Sequence, residues 1–223
     1  MEGPIFVSIP AYRDPQCLHT IRDLFETANI PQRLRVVVVW QGDGSDGPCV
    51  PEEFSSSVNV VSMHYTEAKG PCWARSIAWS MVEPQIRDQY LLSIDCHMRF
   101  VKGWDSQMIR WLAVCPSSKP ILTGYPIGYE PETGTPQEQR SSLLCATRFD
   151  VDGMLRTAGK LLVKTFDTPL PSLFWAAGFR YAIHFVLIFH LHIHPHPVSL
   201  MLTSLPRCRM IHTFSTCSLA RYV

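Results

Sequence analysis

Two residues with metal-binding side chains, Asp95 and His97, follow a short apolar run. Residues Tyr90–Ile94 form this run, which is typical of a buried strand. If the strand continues, residues two apart point to the same side, so the carboxylate and the imidazole could meet while Cys96 packs on the other side. This pair of donors suits Mn²⁺ or Mg²⁺ better than a closed thiolate zinc site. The alternative is a polar strand end, in which Asp95 caps the next turn and His97 lies on the surface.

A third candidate, Arg75, lies in the first turn of a helix predicted from about Trp73 to Val82, just after Gly70 and Pro71. A cation at this end of a helix is unfavourable unless an anion or an acid accompanies it. A diphosphate would supply the anion, because helix-terminal amides and a guanidinium both bind phosphate oxygens. The alternative is an arginine that pairs with a surface acid.

The residues Tyr12, Arg13 and Asp14 form a polar turn after an apolar, β-prone run at residues 5–11. A strand that ends in a polar loop is where open α/β sheets bind nucleotides. The alternative is an ordinary turn between a strand and a helix, with Asp14 as a capping residue.

Strands and helices alternate along most of the chain, which indicates an α/β fold with a largely parallel sheet. Strands are predicted at residues 5–11, 35–41, 58–65, 90–94, 121–125 and 143–149, and helices at residues 17–28, 73–82 and 104–115. A Pro- and Gly-rich loop at residues 126–141 is of the kind that carries function in many enzymes.

Two strings resemble a known family. Residues 95–100 read Asp-Cys-His-Met-Arg-Phe, and residues 70–76 read Gly-Pro-Cys-Trp-Ala-Arg-Ser. Both closely resemble the GlcNAc-transferase family that modifies hydroxyproline on the SCF ubiquitin-ligase adaptor. In that family the string Asp-Ser-His-Met-Arg-Phe is the metal-binding motif of a GT-A glycosyltransferase. Here Cys96 replaces the serine, a change between small residues that we expect to be neutral.

The resemblance implies a GT-A-like core that binds UDP-GlcNAc with a divalent cation, Mn²⁺ or Mg²⁺. It assigns the metal to Asp95 and His97. A Trp-Ala-Ala-Gly-Phe string at residues 175–179 is similar to one that lies beside the sugar and the acceptor in the family. The residues that the resemblance assigns to the sugar nucleotide or to catalysis are Tyr12, Arg13, Asp14, Arg75, Trp175 and Gly178.

The character of the sequence changes at about Arg180. Asp167 is the last acidic residue, and six of the nine histidines lie at or beyond His184. The family instead continues with acidic segments and a histidine, from which a third metal ligand would come. The apolar run after residue 180 is short and interrupted for a membrane helix, and its histidines lack accompanying acids for a metal site. We therefore interpret residues 1–179 as a partial core and residues 180–223 as a tail foreign to the family's reading frame.

Composition limits the remaining function classes. The 223 residues are 46% hydrophobic and 17% charged, as in a globular domain, and a net charge of +1 does not favour nucleic acid or an anionic membrane as partner. The eight cysteines are scattered, as reduced thiols would be. No signal peptide is recognised, so a cytoplasmic location is expected. The alternative is the Golgi or another membrane, if the apolar tail segment anchors the chain.

The leading hypothesis is metal-dependent, retaining transfer of GlcNAc from UDP-GlcNAc to a protein hydroxyl, on hydroxyproline or Ser/Thr. The expected acceptor is an SCF ubiquitin-ligase adaptor, and activity should fall in acid as His97 protonates and releases metal. One alternative is a non-catalytic fragment that keeps the nucleotide-binding half. Another is a sugar nucleotidyltransferase, but residues 8–15 lack the Gly-rich phosphate loop typical of that class.

Overall fold

The structure is a computed structural model. It describes residues 3–44, 47, 50–82, 89–138, 140–164, 166–174 and 176–183, and the backbone of residues 215–218. Within these residues the chain forms ten strands and three α-helices. The strands are β1 (Ile5–Tyr12), β2 (Leu34–Gly42), β3 (Val58–His64), β4 (Tyr90–Ile94), β5 (Pro120–Thr123), β6 (Ser142–Phe149), β7 (Leu155–Leu161), β8 (Leu170–Ser172), β9 (Phe179–Ile183) and β10 (Ser215–Ser218). The helices are α1 (Gln16–Glu26), α2 (Pro71–Trp79) and α3 (Trp104–Val114).

Eight strands form one mixed sheet in the order β3-β2-β1-β4-β9-β5-β10-β8, and β6 and β7 form a separate hairpin. The first four strands in this order are parallel neighbours. Strand β9 lies antiparallel between β4 and β5, and β10 pairs parallel with β5 and antiparallel with β8. The prediction of an α/β fold with a mostly parallel sheet is therefore confirmed.

The sheet is buried where its strands are apolar without interruption. The valines of β2 at residues 36–39 are all buried, as expected for a strand covered on both faces. Helix α1 covers one face of the sheet, because Ile21, Leu24 and Phe25 lie on one side of it at helical spacing and join the main core. The residues of α2 that pack below the sheet, Ala74 and Ala78, are small, so this helix lies close to the strands.

The predicted boundary between residues 179 and 180 falls inside β9. Phe179, Tyr181 and Ala182 are fully buried there, because β9 is flanked by β4 and β5. The division of the chain into core and tail stays a prediction, and residues 184–214, where the tail histidines lie, are outside the described residues. Among the residues that the structure describes, no helix has the length and apolar character needed to cross a membrane.

Candidate functional site

The carboxyl ends of the four parallel strands meet at one edge of the sheet, where a cavity of about 550 Å³ opens. Open α/β sheets bind their ligands at this edge, since the loops that follow the strands converge there. The cavity contains side chains from the end of each strand. Its lining residues are Pro10, Tyr12, Asp14, Gln41, Tyr65, Ala68, Gly70, Pro71, Asp95, Cys96 and His97.

Asp95 begins the loop after β4 and is held from two sides. Arg75 Nη2 donates a hydrogen bond to Asp95 Oδ1 at 2.8 Å, and the Asp95 N–H donates to the carbonyl of Gly178 at 3.1 Å. A Cβ atom on Gly178 would lie 2.4 Å from Asp95 Oδ2, closer than any side chain allows. Gly178 therefore makes room for this position of the carboxylate. The Asp95 side chain remains 38% exposed and lines the cavity.

Arg75 lies behind Asp95, outside the cavity wall. It is the fifth residue of α2, which begins at Pro71, two residues earlier than predicted, because Gly70 turns the chain with a φ of 92° and proline fits the first helical position. The Arg75 side chain is only 6% exposed, and its Nε has no hydrogen-bond partner in the described structure. An acid does accompany this cation, as the dipole argument requires.

A second guanidinium, that of Arg180 on β9, lies near Arg75. Arg180 stacks on the ring of Trp79 at 4.2 Å. Burial, together with the positive charge of Arg75, lowers the pKa of Arg180 to about 9.

Asp14 and His97 form a second contact pair in the cavity wall. His97 Nδ1 lies 2.9 Å from Asp14 Oδ2, and Asp14 Oδ1 accepts a hydrogen bond from the N–H of Gln16 at 2.9 Å. Burial alone would raise the pKa of Asp14, but the hydrogen bonds from Gln16 and His97 outweigh it and hold this pKa below its ordinary value. The His97 ring is 55% exposed, so it is accessible to a ligand.

The predicted orientation of Cys96 is wrong in part. Cys96 is buried in the core, as expected, but its Sγ also lies 3.9 Å from His97 Nδ1 and lines the same cavity. The reason is that β4 ends at Ile94 and residues 96–97 form a bend, so the alternation of a strand does not extend to them. Burial, followed by the charge of Asp14, raises the pKa of the Cys96 thiol, so without a metal it is neutral at neutral pH.

The turn after β1 places its three polar residues differently. Tyr12 and Asp14 line the cavity, whereas the Arg13 guanidinium lies over the ring of Tyr65, 4.6 Å from its centroid. Arg13 has a φ of 49°, an unusual value for a residue with a side chain, and such strain concentrates at functional sites. The contacts of Tyr12, Arg13 and Asp14 with a nucleotide stay a prediction.

Sequence reasoning missed two residues that line the cavity. Gln41 lies near the end of β2, and Tyr65 is the first residue after β3. Gln41 is buried, and its Nε2 donates to the Ala11 carbonyl at 3.3 Å. A polar residue soon after a run of valines, at the carboxyl end of a parallel strand, was the available signal. Trp175 lies outside the described residues, so its placement beside a sugar also stays a prediction.

A larger cavity of about 840 Å³ lies on the other side of His97. It is bounded by the loop that follows β4 and by the Pro-rich loop between β5 and β6. Its wall contains Asp23, Arg99 and Tyr129. The Arg99 guanidinium lies 4.3 Å from the centroid of the Tyr129 ring and also donates to the Tyr129 hydroxyl at 3.3 Å. His97 lines both cavities and is the point at which they meet.

The donor set fits a hard divalent cation. Asp95 and His97 both line the cavity and offer a carboxylate oxygen and an exposed imidazole, and Asp14 adds a second carboxylate. These are ligands that Mn²⁺ and Mg²⁺ accept. The three residues within mutual ligand distance are, however, Asp14, Cys96 and His97, whose donor atoms lie within 4.8 Å of one another. Asp95 is not in that group.

Comparison with known structures shows the fold. GalNAc-T7, solved with UDP, GalNAc and Mn²⁺, is 14% identical with a TM-score of 0.57, over 83% of this chain and 35% of that one. TarS 1-349 of S. aureus is 16% identical with a TM-score of 0.42, over 61% of this chain and 40% of that one. The same TarS fragment in complex with UDP-GlcNAc is 16% identical with a TM-score of 0.39, over 66% of this chain and 40% of that one. This chain thus spans well under half the length of these chains.

Comparison with family models shows the family. No curated protein matches the chain. The model described as "Glycosyltransferase (GlcNAc)" matches residues 4–57 and 51–189, which is most of the 223 residues. The match includes all four parallel strands and every residue that lines the cavity at their carboxyl ends. The chain therefore belongs to the GlcNAc glycosyltransferase family.

Proposed function

We propose that this chain binds UDP-GlcNAc in the cavity at the carboxyl edge of the sheet and transfers GlcNAc to a protein hydroxyl with the help of Mn²⁺ or Mg²⁺. One observation carries the proposal. In a member of the GlcNAc glycosyltransferase family, Asp14, Asp95, His97 and the start of α2 converge on a single cavity. Carboxylates, an imidazole and helix amides together suit a diphosphate with its cation.

Asp95 and His97 would hold the cation. When bound, the ion supplies positive charge that stabilises the diphosphate as the sugar leaves. Arg75 fixes the Asp95 carboxylate through its 2.8 Å hydrogen bond, so this ligand is held in place before the donor arrives. GalNAc-T7, which has a similar fold, was solved with UDP and Mn²⁺, the same nucleotide and ion that we propose here.

The amino end of α2 would receive the diphosphate. Gly70 and Pro71 line the cavity, so the first free amides of the helix lie beside it. The aligned peptide dipoles add partial positive charge at this end. Arg75 lies behind it and is paired with Asp95, whose carboxylate lines the same cavity.

The uracil ring would lie among the side chains at the ends of β1 to β3. Tyr12 and Tyr65 provide aromatic surface, and the guanidinium of Arg13 lies over the ring of Tyr65. Gln41, at the end of β2, adds a polar group at the base of the cavity. This arrangement keeps the assignment of the turn at residues 12–14 to the nucleotide.

The acceptor would enter through the larger cavity, because the two cavities meet at His97, where the sugar would lie. Its wall is both apolar and charged, as a polypeptide site requires, with Ile127, Pro131, Glu132, Pro136 and Arg140. The family resemblance supports hydroxyproline as the acceptor, with the SCF ubiquitin-ligase adaptor as the protein that carries it.

Calorimetry with UDP, UDP-GlcNAc and UDP-GalNAc, each with and without Mn²⁺, tests the donor site of the full chain. We expect Mn²⁺-dependent binding of UDP and a preference for UDP-GlcNAc over UDP-GalNAc. Binding that is absent, or equal with and without metal, would refute the donor site.

Transfer is tested separately, by mass spectrometry of a hydroxyproline peptide and a matched proline peptide after incubation with UDP-GlcNAc and Mn²⁺. We expect GlcNAc on the hydroxyproline peptide alone. Metal-dependent UDP binding without transfer to hydroxyproline, serine or threonine peptides would show a nucleotide-binding protein and reject the transferase. Arg99→Gln should raise the KM for the peptide and leave UDP affinity unchanged, because Arg99 lines the larger cavity and is not among the residues that line the smaller one.

A further inference from the structure

Asp14, Cys96 and His97 bring three different metal-binding atoms together from two separate loops. His97 Nδ1 lies 2.9 Å from Asp14 Oδ2 and 3.9 Å from Cys96 Sγ. All three donor atoms lie within 4.8 Å of one another. A thiol, an imidazole and a carboxylate are a donor set that a surface acidic cluster does not provide.

This spacing is close to what a tetrahedral ion needs. Zinc binds sulfur at about 2.3 Å and nitrogen or oxygen at about 2.0–2.2 Å, so donor atoms around it lie about 3.3–3.8 Å apart. The 2.9 Å and 3.9 Å separations in this cluster lie on either side of that range. Small side-chain rotations would therefore admit an ion. The 550 Å³ cavity at the carboxyl edge of the sheet, which these residues line, leaves space for a fourth ligand.

The backbone already fixes two of the three donors. The Asp14 carboxylate accepts a hydrogen bond from Gln16 N–H, and Cys96 is 6% exposed and packed in the core. The carbonyl of Cys96 also accepts a hydrogen bond from the buried Thr20 hydroxyl at 2.7 Å, which ties this bend to α1. Donors that are held before binding lose less conformational entropy when the ion arrives.

We propose that Asp14, Cys96 and His97 form a site for one zinc-class ion, Zn²⁺, Co²⁺ or Cd²⁺, in preference to Mn²⁺ and Mg²⁺. The thiolate is the reason for the preference, because soft sulfur favours the zinc-class ions and contributes little to the binding of harder ones. The site shares His97 with the Asp95–His97 pair but uses Cys96 and Asp14 in place of Asp95, so a zinc-class ion and Mn²⁺ would compete for this imidazole. It requires no nucleotide, so it goes beyond the proposed transferase and is tested independently of it.

The test is titration of the reduced full chain with Co²⁺ in the absence of nucleotide. We expect one equivalent of Co²⁺ to give a sulfur-to-cobalt charge-transfer band in the near ultraviolet. Zn²⁺ should remove the band stoichiometrically, and a large excess of Mn²⁺ should not. Histidines alone give no such band, so binding to the histidines at positions 184–196 of the sequence is distinguished by this readout.

Three variants locate the site. Cys96→Ser should lose the band, and a competing chelator should show that Zn²⁺ affinity falls at least about tenfold. His97→Gln should keep a thiolate band but show a similar fall in affinity, and this variant should fold, since the ring is half exposed. Cys145→Ser, which removes a partly exposed thiol on β6, should change neither. A band that survives in Cys96→Ser, one lost in Cys145→Ser, unchanged affinity in His97→Gln, or no band in the wild type would overturn the site.

Discussion

Two arginine–aspartate pairs in this chain use the same residue types in opposite ways. In the first pair, Asp105 is fully buried at the start of α3, and its two oxygens accept hydrogen bonds from the N–H groups of Asn29 and Ile30 at 2.9 and 3.0 Å. Arg33 lies 3.6 Å from the same carboxylate. In the second pair, Asp95 accepts from Arg75 at 2.8 Å, but its carboxylate is 38% exposed and lines the donor cavity.

The two carboxylates differ in their hydrogen-bond partners. Asp105 accepts from two backbone amides and faces an arginine, so it joins the loop before β2 to α3, and its side chain is fully buried. Asp95 is held by one arginine and positioned by Gly178, and it remains open toward the cavity. A buried ion pair whose carboxylate has backbone donors on both oxygens is thus structural, whereas one with an accessible carboxylate marks a site.

The largest effect is expected for Asp105→Asn. It removes the charge that Arg33 faces and directs an amide N–H toward a backbone N–H, so we expect the free energy of unfolding to fall by about 3–5 kcal/mol. Urea denaturation followed by circular dichroism measures the change. A stability near that of the wild type would show that Asp105 is not the structural member of the comparison.

Asp95→Asn should give the opposite result. Its amide oxygen can still accept from Arg75, so the loss of stability should be smaller than in Asp105→Asn, although the buried guanidinium loses its charged partner. Mn²⁺-dependent affinity for UDP should fall at least about tenfold, as when a metal ligand is lost. Calorimetry with and without Mn²⁺ measures it. Equal affinity with the metal would remove Asp95 from the cation site, and a collapse of stability would make the two pairs alike.

Gly178→Ala tests the positioning of Asp95 without touching its chemistry. The new Cβ would lie 2.4 Å from Asp95 Oδ2, so the carboxylate must move, and we expect a severalfold loss of Mn²⁺-dependent UDP affinity. The matched control is Gly47→Ala, where the nearest atom would be Ser62 Oγ at 3.8 Å. If both variants bind UDP equally well, Gly178 has no positioning role.

The sequence predicted the parallel half of the sheet well, because each of its strands is a dense apolar run that needs no distant partner to be recognised. Valines at residues 36–39 and the abrupt change from Ile94 to Asp95 are examples. The same change was the basis for predicting that Asp95 and His97 lie close together, and both residues line one cavity. The orientation of Cys96 failed, since it depended on a strand that ends at Ile94, and only the three-dimensional path of the bend decides it.

The pairing of strands and side chains that are distant in the sequence could not be predicted from local sequence patterns. Strand β9 lies between β4 and β5, and nothing in the run Phe179–Ile183 states which strands it will join. The Arg75–Asp95 pair also joins residues 20 positions apart, and the contact of Gly178 with Asp95 joins the start of β9 to the end of the neighbouring strand β4. Such contacts depend on the packing of the whole sheet, so residue types and spacing alone could name these residues but not their partners.

Arg75→Ala removes the residue that holds the Asp95 carboxylate in position. Removing a charged hydrogen bond should weaken UDP-GlcNAc binding by about 1.5–3 kcal/mol. The domain should remain folded, since the carboxylate that is left behind is partly exposed to water. Calorimetry and a thermal melt of the same preparation separate the two quantities. A melt that collapses while the affinity per folded molecule is unchanged would move Arg75 into the structural class with Arg33.

The smallest effect concerns acid, and it extends the comparison to Asp14. The hydrogen bonds from Gln16 and His97 outweigh burial and hold the folded-state pKa of Asp14 below its ordinary value of 3.8. A depressed carboxyl pKa stabilises the fold above the unfolded pKa, and this contribution is lost as the pH falls through the folded pKa. The pKa of Asp23 is shifted in the opposite direction, because burial raises it despite the N–H of Phe100 and the charge of Arg99.

Between about pH 6 and pH 3, Asp14→Asn should therefore lose less free energy of unfolding than the wild type, and Asp23→Asn should lose more. Urea denaturation across this range measures both. Parallel curves for the wild type and Asp14→Asn would show that the Asp14–His97 contact does not favour the ionised carboxylate, and the electrostatic half of the donor-site argument would then rest on Asp95 and Arg75 alone.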